Sequence, residues 1–368
     1  MPRVLHVITS LDADGAQTLL MDFASRCPEY RYRNLVAFLV GKGALTAEPR
    51  YAGVAVADLT RAGAFDFRSL FRLVGLMRSQ RIDLVHTHLV HGGIMGRIAA
   101  RLAGVRRVVT TRHYGTEEKE RSLLYRLEDR MTRRNDRVIA ISQAVRQHLA
   151  DRRIARPERV RVVHNALDQH LFGNDPPPPR SGPGRPPVLG SIGRLRPQKG
   201  FSHLLDAVRL VRAEHPGTTL EIVGDGPLRR DLECRCRELD LADAVRFLGA
   251  VPHSRIPQRI DGWDLFVLSS VWEGFGMVLI EAMARARAVV ATRVEGVMEV
   301  VEEGVTGLLV PPSDAPALAA AVNELLRDTE RRSAMGRAGR ERALRLFSME
   351  RFVEQTIAVY DELLGEGS

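Results

Sequence analysis

Short runs rich in β-branched and aliphatic residues alternate with amphipathic stretches along almost the whole chain, and the alternation is interrupted once. Parallel strands need long crossovers, so this pattern predicts parallel sheets with helices on their faces. In the first half, strands are expected near 3–9, 34–40, 54–58, 83–87, 107–111, 137–141 and 160–163, with helices such as 91–103 and 117–134. The interruption spans 173–187, a run of prolines and glycines. Proline has no amide to give a ladder, so this stretch reads as a linker. A second alternation follows, with strands near 188–192, 218–223, 245–248, 264–268, 288–291 and 307–310. Its helices fall near 200–213, 227–239, 276–285 and 314–327, and two more close the chain near 330–345 and 348–364.

The expected division is therefore 1–172, a linker at 173–187, and 188–346, with 347–368 as a closing segment. A length of 368 residues suits two domains, each with its own core. Two doubly wound domains on a hinge would place a ligand crevice at the carboxyl edges of their strands. No apolar run approaches the ~18 residues of a membrane span. The opening segment Met1–Thr9 reads as a first strand and not as a signal peptide, so a cytoplasmic location is expected. Cys27, Cys234 and Cys236 read as reduced thiols, because no second Cys/His pair completes a zinc set.

Charge is unevenly distributed. Residues 1–168 hold 29 Lys/Arg against 17 Asp/Glu, a net of +12, while the remaining 200 carry −3. Arg112, Lys119, Arg121, Arg126, Arg130, Arg133, Arg134 and Arg137 lie close together, interleaved with Glu117, Glu118, Glu120, Glu128, Asp129 and Asp136. Such a face suits an anionic membrane surface or a phosphate-bearing acceptor; an Arg-rich solvated helix is the alternative. No aromatic platform accompanies the arginines, so nucleic acid is not expected as a partner.

Chemistry-bearing residues concentrate in the second half. A strand ending at Gly193 leads into a loop with Arg194 and Lys199, two cations beside a helix start and well placed to neutralise a diphosphate. Gly224-Asp-Gly226 is a tight strand-to-helix turn where glycine admits close backbone approach. Another strand runs into Glu273-Gly-Phe-Gly276, and the following helix carries Glu281 among apolar neighbours. Exposed helix-start amides there can hold a phosphate or sugar hydroxyls, and a carboxylate one turn on can accept from ribose hydroxyls.

Together and in order, Arg194…Lys199, Gly224-Asp-Gly226 and Glu273…Glu281 resemble the donor half of the retaining, GT-B-fold glycosyltransferases of the group-4 family ("glycosyl transferases group 1"). Later segments, 293–299 and 304–311, and two of the first half, 136–142 and 162–168, resemble it as well. The resemblance implies an α/β GT-B fold, two doubly wound Rossmann-like domains facing a central cleft, the last helix returning to the first domain. It implies that Arg194 and Lys199 hold the donor diphosphate and Glu281 the ribose. Glu273, with the amides of Phe275 and Gly276, would contact the transferred sugar, while Gly193, Gly224 and Gly226 shape the donor pocket. From the first domain, the loop at Gly15 would close over the diphosphate. His88, preferred over His86, would face the sugar at the reaction centre, with His113 as a second candidate.

Three departures from the family pattern stand out. Asp14 precedes Gly15 where Gly-Gly is common; Asn165-Ala166 replaces Asn-Gly; Glu295-Gly296 and Met298 replace Gly-Gly and Pro. The implied reaction is metal-independent transfer, with retention, from a nucleotide diphosphate sugar to a glycan or lipid-linked acceptor of surface polysaccharide or glycolipid synthesis. UDP is expected as the donor base ahead of GDP, and the enzyme as peripheral on the inner membrane face. Asp12-Ala-Asp14 spells a metal-binding D-x-D of another fold, but here it follows a first strand, so no metal or other cofactor is expected. A sugar-binding protein without catalysis and a nucleotide-sugar epimerase of the same fold are the alternatives. A dinucleotide oxidoreductase is disfavoured, since neither half opens with G-x-G-x-x-G.

Overall fold

A computed structural model of the chain describes residues 1–12, 15–26, 31–60, 67–113, 122–172 and 185–365. It divides into two compact units, Met1–Ala166 with Met349–Ser368, and Leu167–Ser348. The division thus falls at Ala166/Leu167, ahead of the Pro-rich stretch expected to mark it, and most of that stretch (173–184) lies outside the described residues.

In the first unit, β1 (Arg3–Ile8), β2 (Arg33–Phe38), β3 (Ala55–Asp58), β4 (Leu84–His88), β5 (Arg107–Arg112), β6 (Arg137–Ala140) and β7 (Val160–Val162) form one sheet in the order β3-β2-β1-β4-β5-β6-β7. Every pairing is parallel. Both faces are covered, which is why the strands read as near-continuous apolar runs. Leu5 and Val7 face the helices Phe67–Ser79 and Val90–Ala103 and join Leu73, Met77, Met95 and Ala99 in one core. The period of two sends Val4 to the opposite face, where Phe23 of the helix Gly15–Arg26 and Val353 and Tyr360 of the last helix, Met349–Leu364, pack on it. That last helix is tethered by Tyr32, whose hydroxyl donates to Asp361 Oδ1 at 2.5 Å.

In the second unit, β8 (Val188–Ile192), β9 (Thr219–Val223), β10 (Val245–Gly249), β11 (Leu265–Leu268), β12 (Val289–Thr292) and β13 (Gly307–Val310) follow the order β10-β9-β8-β11-β12-β13, again all parallel. Leu189, Leu220, Val267 and Val290 pack on the helices Phe201–Glu214 and Ala315–Arg327. Asp314 caps the second of these through Ala317 N at 2.9 Å, with proline in its first turn. Trp263 is fully buried and donates from Nε1 to Glu221 Oε2 at 3.0 Å. Its ring fills the space a Cβ at Gly190 would need, 1.8 Å away, which explains a glycine inside β8.

Each sheet reverses its strand order once, between β1 and β4 and between β8 and β11. In open parallel sheets, ligands bind beyond the carboxyl ends of the strands at such a switch point. No helix among the described residues is long and apolar enough to cross a membrane.

Candidate active site

The switch point of the second unit collects the donor-side residues read from the sequence. Gly193 and Arg194 leave the carboxyl end of β8, and Arg194 is exposed. The loop then turns through a short 3-10 segment, Pro197–Lys199, to Gly200, whose φ of 62° is left-handed. Gly200 lies so close to the end of β11 that a Cβ would stand 2.1 Å from the Ser269 carbonyl oxygen. Ser269 Oγ donates to the Lys199 carbonyl at 2.9 Å, and Val271 N donates to Gln198 O at 2.8 Å. The two loops are locked together, and the lock brings the Lys199 ammonium onto Oε1 of Glu273, an oxygen that also accepts from Ser270 Oγ at 2.9 Å.

Glu273 therefore sits in a fixed place, held by one cation and one hydroxyl. Gly296, the glycine kept beside the departure at Glu295, makes this possible: a Cβ there would lie 2.5 Å from Glu273 O and 2.6 Å from Phe275 N. Phe275 is buried, its ring edge-on to Phe347 at 5.3 Å between centroids. Its side chain anchors the loop. Gly276, with φ of 85°, opens the helix Met277–Ala284 without a side-chain cap, so that helix's first amides carry its positive dipole end outward.

Gly224 and Gly226 are positions of close backbone approach. A Cβ at Gly224 would stand 2.1 Å from Gly193 O, and one at Gly226 2.6 Å from Leu195 O. These glycines bring their turn against the loop bearing Arg194, backbone to backbone; Leu195 N donates to Asp225 O at 3.0 Å and Leu228 N to Leu195 O at 3.1 Å. They fix the shape of that loop by packing on it.

Glu281 is buried one turn into its helix, and its Oε1 lies 3.1 Å from Nε2 of His253, which leads a 3-10 segment after β10. His253 was not singled out from the sequence. It is 28 residues from Glu281, and no spacing rule connects a loop histidine with a helix carboxylate so far away.

In the first unit, parallel register sets His6 of β1 beside His86 of β4, and the strand period adds His88 on the same face. His6 Nε2 lies 2.9 Å from Asn34 Oδ1, and its Nδ1 lies 3.2 Å from His88 Nε2. With Asn34 accepting, His6 carries its proton on Nε2 and His88 donates from Nε2 to His6 Nδ1. His86 is bonded at both nitrogens, to Tyr360 Oη at 2.6 Å and Thr111 Oγ1 at 2.7 Å. Desolvation drives all three basicities down, His6 to about 4 against the help of Asn34, and His86 and His88 well below the ordinary value. His113, just past β5, is held near 4 by burial and then by Arg112. It is only partly enclosed, whereas His88 is buried and engaged by His6. His88 and His113 line one pocket with Ala16, Phe23, Asn165 and Tyr360. Gly15 begins the helix Gly15–Arg26 with open space around its Cα; Asp14, and hence the D-x-D reading, lies outside the described residues.

Two doubly wound parallel sheets, one carrying cations and carboxylates at its switch point, define a GT-B type α/β protein. Residues 13–171 match the family model described as Glycosyltransferase Family 4, and 178–342 that described as Glycosyl transferases group 1. The chain belongs to this GT-B glycosyltransferase family. Among solved structures, Anabaena HepE in complex with UDP and glucose is 26% identical, with a TM-score of 0.85 over 98% of this chain and 100% of that one. Among curated proteins, the UDP-Gal:alpha-D-GlcNAc-diphosphoundecaprenol alpha-1,3-galactosyltransferase of Escherichia coli is 28% identical over 81% of this chain and 80% of its own length. The alpha-D-kanosaminyltransferase of Streptomyces kanamyceticus is 33% identical over 48% of this chain and 46% of its own length. The chain thus spans about half the length of most of the curated relatives it matches.

Proposed function

We propose that the chain transfers a sugar, with retention and without a metal ion, from a UDP-sugar to a glycan or lipid-linked acceptor in surface polysaccharide or glycolipid synthesis. The observation that carries this reading is the locked pair of loops presenting Arg194, Lys199 and Glu273 beside the helix that bears Glu281. UDP ranks ahead of GDP because HepE, similar over the full chain, is seen with UDP, and the E. coli relative is named for UDP-Gal.

In this reading, Arg194 and Lys199 neutralise the diphosphate, and the first amides of the Met277–Ala284 helix add their partial charge. Glu281, steadied by His253, accepts from the ribose hydroxyls. Glu273 and the Phe275 and Gly276 amides contact the sugar. As the anomeric carbon–phosphate oxygen bond breaks, the acceptor oxygen bonds that carbon on the same face, and its proton passes to the departing phosphate. Of the first unit's histidines, His113 is better placed than His88 to meet a ligand, since His88 Nε2 is committed to His6. A neutral imidazole there can accept a sugar hydroxyl proton or donate to its oxygen.

Thermal-shift titration with UDP, GDP, ADP and their sugar conjugates, repeated with chelator and on Lys199→Ala, tests the assignment. Selective stabilisation by UDP and UDP-sugar, surviving chelation and lost in the variant, is expected. No shift with any nucleotide would sink it, and release of a free, altered nucleotide sugar in place of a glycosylated acceptor would point to an epimerase.

A further inference from the structure

We propose that His6, His86 and His88 bind a divalent transition-metal ion of the zinc class inside the first unit, away from the donor loops. One ring nitrogen of each lies within 4.8 Å of the other two, and all three side chains are buried. The topology makes the cluster. β1 and β4 are neighbours at the switch point of the first sheet, their register pairs His6 with His86, and the strand period returns His88 to the same face.

The spacing suits an ion. His6 Nδ1 and His88 Nε2 are 3.2 Å apart. Two nitrogens bound to one tetrahedral zinc ion stand about 3.3 Å apart. His86 needs less than about 2 Å of side-chain movement to bring its nitrogen to the third corner.

The outer partners hold the rings for this task. Asn34 Oδ1, 2.9 Å from His6 Nε2, fixes the proton there and leaves the Nδ1 lone pair facing His88. His86 has an anchor on each side, Tyr360 Oη and Thr111 Oγ1, so one nitrogen can turn to the ion while the other stays held. On binding, His88 moves its proton from Nε2 to Nδ1, and the bond from His88 to His6 gives way to two metal–nitrogen bonds.

A cavity supplies the fourth position. Its volume is about 20 Å³, room for a single water, and its walls include the three histidines, His113 and Thr356. Thr356 Oγ1 is buried there without a hydrogen-bond partner, which a metal-bound water would provide. Three imidazoles and a water are the donor set of an open zinc site. No carboxylate is among the described residues of the cavity wall, so magnesium and calcium, which take oxygen ligands, are disfavoured. Burial keeps the imidazoles neutral, the form that ligates. An ion overcomes the same burial because three nitrogens bind it at once. It would tie β1 to β4, so its effect falls on the stability of the first unit; sugar transfer, read above as metal-independent, does not pass through it.

Titration of the chelator-stripped whole chain with cobalt(II), and then with zinc, tests the site. One cobalt per chain is expected, with the intense visible absorption of a four-coordinate ion, and zinc should displace it. Zinc should also raise the midpoint of thermal unfolding, because it binds the folded state, and magnesium should not. Unfolding of the stripped chain reports the histidines alone, and of the loaded chain the ion as well. His6→Gln and His88→Gln should each lose the cobalt absorption. Asn34→Ala, which keeps every ligand, should bind about tenfold more weakly. His170→Gln, at an exposed position of the second unit, should bind as the parent does. Far-UV circular dichroism of the stripped variants would show that they remain folded. No absorption at micromolar cobalt, a six-coordinate spectrum only, or binding that survives both histidine variants would overturn the proposal. The UDP-induced shift is a separate readout, so failure of the donor assignment would leave this result standing, and the reverse.

Discussion

His253 Nε2 lies 3.1 Å from Glu281 Oε1, and the carboxylate is far less exposed than the imidazole, 9% against 39%. The histidine thus steadies a buried acid from its solvent side, on a loop that is otherwise free of side-chain caps. His253→Ala removes a hydrogen bond to a charged group, which contributes on the order of 1 kcal/mol at a partly exposed site. UDP is expected to bind about fivefold more weakly by calorimetry. An unchanged dissociation constant would separate Glu281 from nucleotide recognition.

Lys199 and Ser270 both donate to Glu273, but only one of them brings charge. Lys199→Ala leaves a largely buried carboxylate facing the place proposed for a diphosphate, so turnover is expected to fall on the order of a hundredfold or more. Ser270→Ala removes one neutral donor and should cost no more than about tenfold. Steady-state rates for the two variants would reveal the order; equal losses would mean that Glu273 orientation, not the ammonium charge, governs the step.

The parallel sheets and the loops that bear Arg194, Lys199 and Glu273 were legible in the sequence, because strand runs, crossovers and loop cations are local in the chain. What escaped was contact at long range. The Ala166/Leu167 division leaves no mark in the local pattern, whereas the packing of Met349–Leu364 on the first unit was expected from the family resemblance. His6 gave no signal as a residue in its strand; only the register beside His86 makes it the partner of His88. Gly224 and Gly226 approach the backbone of Gly193 and Leu195 respectively, each 31 residues earlier, and no local signal names those partners. The inward turn of Glu128 and Asp129 required knowing where Arg112 sits.

Two glycines with positive φ should be intolerant of any side chain. Gly200→Ala and Gly224→Ala each drive a methyl to within 2.1 Å of a carbonyl oxygen, from Ser269 and Gly193 respectively, so neither loop can yield without the other. Unfolding free energy in urea should fall by about 2–3 kcal/mol for each. Gly15, by contrast, has no atom within 4 Å of the point where a Cβ would stand, and its φ is not positive. Gly15→Ala should therefore leave stability within about 0.5 kcal/mol and, if the loop contacts the donor, raise KM alone.

The acid side of the stability profile should be set by the buried histidines of the first sheet. His6 titrates at about 4 in the folded state because burial outweighs its bond to Asn34, whereas in the unfolded chain it titrates near 6.5. The unfolded state therefore binds the proton more readily, and the folded state loses ground as pH falls from 6.5 toward 4. At pH 5 the loss is about 2 kcal/mol for this residue. His86 and His88, pushed down in the same direction by burial and then by neighbouring imidazoles, add to the slope. Urea unfolding between pH 5 and 7.5 should show stability level above the unfolded-state pKa and falling below it. In His6→Gln the amide can still bond Asn34 but cannot ionise, so the slope should shrink by about the share of one histidine. A slope identical to that of the parent would place the acid sensitivity elsewhere in the chain.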